Sequence, residues 1–119
     1  MTTQELAAET ARLRGWELLD PPPDVLEQPW RDWYDGPNWK MAEHDWDPAN
    51  DIIQAQELVE EVKRQGLVIR ARFMNHLLRA FGQRSGRFVK VLEWWLFEAD
   101  QPRLICEAFI AVMREEANG

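Results

Sequence analysis

A chain of 119 residues, 45% of them hydrophobic, is long enough for one domain with one core and too short for two, so residues 1–119 are read as a single domain. A single cysteine, Cys106, excludes an internal disulfide and suits a reducing, cytoplasmic setting. The net charge of −7 disfavours long-range attraction to polyanions, and no apolar run is long enough to cross a bilayer.

In chain order, Thr2 and Glu5 have the spacing of a capping box, which predicts a first helix from Thr2 to Arg14, ended by Gly15. The polar, helical start MTTQELAAE is not expected to be a targeting segment. Trp16 to Leu19 reads as a short strand. Pro21, Pro22 and Pro23 predict a stiff, extended connector. Trp30, Trp33, Tyr34 and Trp39 punctuate a loop-rich acidic stretch in which Asp35-Gly36 marks a turn. Asn38 to Ala42 is expected to return as a strand and pair with Trp16 to Leu19.

The stretch Trp46 to Gly66 is the best-specified helix. Asp47 is expected to cap it and Pro48 to open it. Ile52, Ala55, Leu58, Val59 and Val62 step by three and four to form one apolar stripe. Lys63 and Arg64 suit the carbonyl end, and Gly66 closes it. Leu67 to Ile69 is strand-like. Arg70 to Phe81 steps as a helix, Gly82 to Arg87 reads as a polar loop, and Arg87 to Leu92 is expected to be helical again. Trp94 to Phe97 fits either helix or strand. Asp100 or Gln101 caps a last helix in which Pro102 comes first and Leu104, Ile105, Ala108, Phe109, Val112 and Met113 form a broad apolar face. Residues from Arg114 onward are expected to fray. The fold class expected is α+β: a helix-rich small domain with a short antiparallel hairpin packed by three to five helices, with an all-α domain as the alternative.

Three segments, ARLRGW, WDPANDIIQAQELVEEVK and PRLICEAFIAVM, together resemble the phage ABA sandwich domain family. The family pattern is a Gly-Trp pair ending a helix, an aromatic-rich hairpin, a helix start of Trp or Tyr followed by x-Pro-x-x-Asp, and Pro-x-x-Ile-Cys-x-Ala before an apolar tail. Gly15-Trp16, Trp46 to Asp51 and Pro102 to Ala108 stand at those places. The resemblance implies a small phage or prophage protein of no particular activity and carries over no catalytic residue. It also implies strands between the second and last helices, where the periodicity of Arg70 to Phe81 reads helical.

Charge is unevenly distributed. From Lys63 to Leu92 there are eight basic residues and no acid, whereas Glu17 to Glu61 carries thirteen acids against Arg31 and Lys40. The simplest expectation is that the two halves attract each other within the fold. Catalytic chemistry has little to work with. Cys106 sits in an apolar helix, Ser85 is the only serine, and Glu93, Glu98 and Asp100 have no paired spacing. His44, Asp45, Asp47 and Asp51 lack the Gly and terminal Glu of a calcium loop, and no phosphate-cradling glycine loop is present.

The expectation is therefore a non-catalytic interaction protein with no cofactor and no metal. Its partner would be a host or phage protein, such as a defence component, bound through Trp30, Asp32, Trp33, Tyr34 and Asp35, with homo-oligomerisation as an added expectation. The alternative is a nucleic-acid or nucleotide-binding protein that uses segment 63–90 through Arg70, Arg72, Arg79, Arg84, Arg87 and Lys90.

Overall fold

The computed structural model describes residues 1–24, 27–85 and 101–118, without the side chains of 81–85. Among the described residues, four helices surround a three-stranded antiparallel sheet, the arrangement of a small α+β domain. The helices are α1 (Thr3–Leu13), α2 (Ile52–Arg64), α3 (Leu67–Ser85) and α4 (Gln101–Asn118); the strands are β1 (Glu17–Leu19), β2 (Asp32–Asp35) and β3 (Asn38–Ala42). A short 3₁₀ turn, Glu43–Asp45, follows β3.

Helix α1 starts with the expected reciprocal cap. Glu5 N–H donates to Thr2 Oγ1 and Thr2 N–H donates to Glu5 Oε1, both at 3.1 Å. Gly15 follows with φ 85°, a left-handed turn that glycine adopts without steric cost, and the chain enters β1.

The sheet order is β1-β2-β3, so the central strand is Asp32–Asp35. The expected pairing of Trp16 to Leu19 with Asn38 to Ala42 is corrected: each of these strands pairs with β2 instead. The reason is local. Asp35 pairs with Asn38 across a two-residue Gly36-Pro37 turn, and Gly36 takes φ 59°, so β3 must lie beside β2. Trp33 faces Met41 while Tyr34 faces Trp39, which makes Lys40 the extra residue of a bulge. The row Leu18–Trp33–Met41 turns toward the helices, and the row Glu17–Tyr34–Trp39 turns away from them.

Helix α2 begins later than expected. Asp51, not Asp47, is its cap: the Asp51 carboxylate accepts from Ile53 N–H at 2.9 Å and Gln54 N–H at 3.2 Å. Asp47 to Asn50 instead forms a turn, held by Asn50 N–H to Asp47 O at 3.1 Å. Gln54 clamps that turn, accepting from Asp47 N–H at 2.6 Å and donating to Asp45 O at 2.7 Å. Ala55, Leu58 and Val62 are buried as the stripe requires, whereas Ile52 and Ile53 are exposed.

Gly66 turns the chain at φ 104°, and α3 starts at once. Leu67 to Ile69 is therefore the first turn of a helix and not a strand. Helix α3 also runs through Gly82 to Ser85, in place of the expected loop, and residues 67–85 are helix where the family resemblance implies strands. The expectations for Arg87 to Leu92 and Trp94 to Phe97 lie outside the described residues. Helix α4 stays helical through Asn118, with an exposed last turn.

The core joins all layers. Leu6 and Ala11 of α1, Trp33 of β2, Leu58 and Val62 of α2, and Phe73 and Leu77 of α3 close around Leu104, Ile105, Phe109 and Val112 of α4. Cys106 is buried among them. No described helix is long and apolar enough to cross a membrane.

Candidate functional site

Two tryptophans, Trp16 and Trp46, organise the junction of α1, the sheet and the 3₁₀ turn. Trp46 is 2% exposed. Its indole N–H donates to Ala7 O at 3.0 Å and to Thr10 Oγ1 at 3.2 Å. The Thr10 hydroxyl is itself buried and donates back to Leu6 O at 2.8 Å. This polar contact ties the entry of α2 to the middle of α1. Trp16 packs on Trp46 with ring centroids 4.9 Å apart, and Arg14 caps the pair, its guanidinium 4.4 Å from the Trp16 ring centre. Glu57 lies 3.5 Å from Arg14 Nη1, an ion-pair distance without hydrogen-bond geometry. Burial pushes the Arg14 guanidinium below its ordinary value, and the Glu57 and Glu61 carboxylates oppose that shift.

Beside this junction lies a groove of about 900 Å³. Helix α1 forms one wall through Gln4, Glu5, Ala8 and Arg12. Trp30, Arg31, Glu43 and His44 form the other, and Ala7, Trp33 and Trp46 lie at its base. Trp30 stands on the rim, 41% exposed, edge-on to the His44 ring at 5.4 Å between centroids. Arg31 makes a two-pronged ion pair with Glu43, Nη2 to Oε2 at 3.1 Å and Nε to Oε1 at 3.4 Å. Glu9 pairs with Arg114 of α4 at 3.1 Å. Hydrogen bonds from Thr2 hold the Glu5 carboxyl below its ordinary value. Four carboxylates, Glu5, Glu9, Glu43 and Asp47, line the groove against the guanidiniums of Arg12 and Arg31. Glu43 and Glu9 are already paired, with Arg31 and Arg114, so the groove offers the exposed Trp30 ring at its rim between walls of mixed charge.

The five residues expected to bind a partner do not share one surface. Trp30 lines the groove rim. Trp33 is at its base, 2% exposed, and is a core residue. Asp32 is also buried, its carboxylate accepting from Gln28 Nε2 at 2.6 Å, so it anchors the incoming loop to β2. Both are corrected from contact residues to structural ones. Tyr34 is half-buried on the opposite sheet face, and Asp35 is exposed at the hairpin turn. The groove's other wall, from α1, is not foreshadowed by any motif; only the apolar spacing of α1 hints that its polar side would face something across the Trp46 contact.

The basic alternative fares differently. Arg70 and Arg79 sit nine residues apart on α3, about 180° around a helix of 3.6 residues per turn. Arg72 pairs with Glu116 at 2.7 Å. The described arginines thus do not form one phosphate-binding face. The Arg84 side chain, Arg87 and Lys90 lie outside what the structure describes. Of the expected pairing between the basic and acidic halves, the described residues show Lys63 with Glu60 and Arg64 with Glu61 within α2, while Arg72 and His76 turn instead to Glu116 and Glu115 of α4. No cluster of three or more metal-ligating side chains occurs among the described residues. Comparison with protein-family models, with curated proteins and with solved structures finds no match to this chain.

Proposed function

We propose that this chain is a non-catalytic interaction protein that binds a segment of another protein in the groove between α1 and Trp30. The observation that carries this reading is Trp30 itself: a tryptophan held edge-on to His44 at the rim of a groove with aromatic residues at its base and acidic side chains on its walls. Tryptophan at the centre of an interface is a common hot spot because it contributes a large contact area with little loss of conformational freedom.

The wider setting belongs to the same proposal. The resemblance to phage ABA sandwich proteins suggests a phage or prophage origin, and a host factor such as a defence component is then the natural partner. The single, buried Cys106 suits a cytoplasmic protein.

The test is affinity capture with the intact chain and two single variants. Trp30→Ala should weaken a recovered partner by about thirtyfold, the effect of a hot spot worth roughly 2 kcal/mol. Trp39→Ala, on the far face of the sheet, should leave binding unchanged. A partner lost through Trp39 and retained by Trp30→Ala would move the site to the outer sheet face.

A further inference from the structure

Helix α3 carries two apolar stripes, and the described core takes up one. Ile69, Phe73 and Leu77 are buried in the core. The second stripe is Leu67, Ala71, Met74 and Leu78, spaced by four, three and four residues, the stepping of a helix that packs lengthwise on another helix. Leu67 is 78% exposed and Met74 48% exposed; Ala71 is exposed and Leu78 half-buried. Val68, beside Leu67, is exposed as well. The stripe runs for about 16 Å, some three helical turns, at 1.5 Å per residue. A tetrad at this spacing is longer than the scattered single apolar residues of ordinary surfaces.

Charge indicates what would lie on it. Among the described side chains, α3 has Arg70, Arg72, His76 and Arg79 and no acid. Arg70 directly flanks the stripe. Arg79 lies in the next row on the other side, and neither makes an ion pair among the described residues. A second α3 brought against the first would add three more arginines and no carboxylate. A nucleic-acid backbone would set its phosphates on leucine and methionine. A helix with leucine-like residues at matching spacing and carboxylates at its flanks satisfies both the stripe and Arg70.

We propose that the Leu67–Leu78 stripe of α3, flanked by Arg70, docks an acidic amphipathic helix of another protein. This surface is separate from the Trp30 groove and does not depend on it.

The experiment uses the full chain and two synthetic helical peptides. Both carry leucines at four-and-three spacing; one has glutamates at the flanks and the other lysines. Binding is followed by fluorescence anisotropy at low and moderate salt. The glutamate peptide should bind, more weakly as salt rises, and the lysine peptide should not. Met74→Asp should weaken binding at least tenfold. Leu67→Asp should do the same while favouring the helix start, so a loss of binding there is not a loss of fold. Arg70→Glu should shift preference toward the lysine peptide, and Trp30→Ala should change nothing. Equal binding of both peptides, or of neither, would overturn the proposal. So would a dimer in sedimentation that Met74→Asp dissolves, which would give the stripe to a second copy. Shielding of Leu67 and Met74 methyl groups from a soluble paramagnetic probe in the free monomer would give it to this chain's own residues and would overturn the proposal as well.

Discussion

The Arg14 guanidinium lies 4.4 Å from the centre of the Trp16 ring and 5.5 Å from that of Trp46. A cation seated on two indoles is held by the negative faces of the rings as well as by contact area. Its nearest carboxylate, Glu57, is half-exposed, so water screens that pair. Arg14→Ala is expected to lower stability by about 2 kcal/mol and Arg14→Lys by about 1 kcal/mol, because an ammonium lacks the planar stack. Glu57→Gln is expected to cost less than about 1 kcal/mol. Urea unfolding of the three variants checks this order.

The Trp46 indole N–H is the polar link between α1 and the start of α2. Trp46→Phe keeps most of the ring and removes the donor, so a loss of about 1 kcal/mol is expected. Trp46→Ala leaves a cavity in a site that is 2% exposed, and about 3–5 kcal/mol is expected. Thermal unfolding followed by near-ultraviolet circular dichroism measures both.

Asp47 and Asp51 both stand where a helix cap would serve, and the fold uses Asp51. Asp51→Ala should cost about 1 kcal/mol, the usual value for losing a side-chain cap. Asp47→Ala should cost less than that, since among the described residues the Asp47 carboxylate hydrogen-bonds the Asn50 side chain, at 2.9 Å, and caps no helix. Equal losses in chemical denaturation would mean that Asp47 shares the capping role.

Cys106 is buried beside Glu107 in α4, and desolvation, reinforced by Glu107 and Asp47, pushes its thiol up to about 12. The folded state then holds the thiol proton more tightly than the unfolded state does. The resulting stability is fully present below the ordinary thiol value near 9.0 and is lost as pH rises toward about 12. Cys106→Ala should therefore show a shallower fall in stability across that interval than the natural chain. Thiol reagents at pH 8 should label Cys106 only as fast as the core opens.

Much of the fold is legible in residues that act on their neighbours. The Thr2–Glu5 cap, the turn at Gly36, the Ala55, Leu58 and Val62 part of the α2 stripe and the apolar face of α4 are local matters of spacing and backbone preference, and they stand where the residues put them. Sequence and structure part where two local signals compete. Asp47-Pro48 announces a helix start, yet the Gln54 clamp holds Asp47 in a turn and the helix begins at Asp51. Leu67-Val68-Ile69 has strand-like composition, yet contact of Ile69 with the core favours helix from Leu67 onward.

The candidate site is legible only in part. Trp30 stands out in the sequence as an aromatic residue in an acidic stretch. That Trp33 and Asp32 are buried depends on which strand is central, and that in turn depends on the Gly36-Pro37 hairpin and on helices distant in sequence.

By itself the sequence determined the Thr2–Glu5 cap and the uneven charge and favoured the α+β class, because these follow from periodicity and composition. Only the tertiary structure decided which tryptophans are core and which face outward, that α1 walls a groove with Glu43 and His44, and that α3 keeps a second apolar stripe uncovered among the described residues. Each of those depends on contacts between segments far apart in the chain, where burial is a property of the assembled layers and not of any one residue's neighbours.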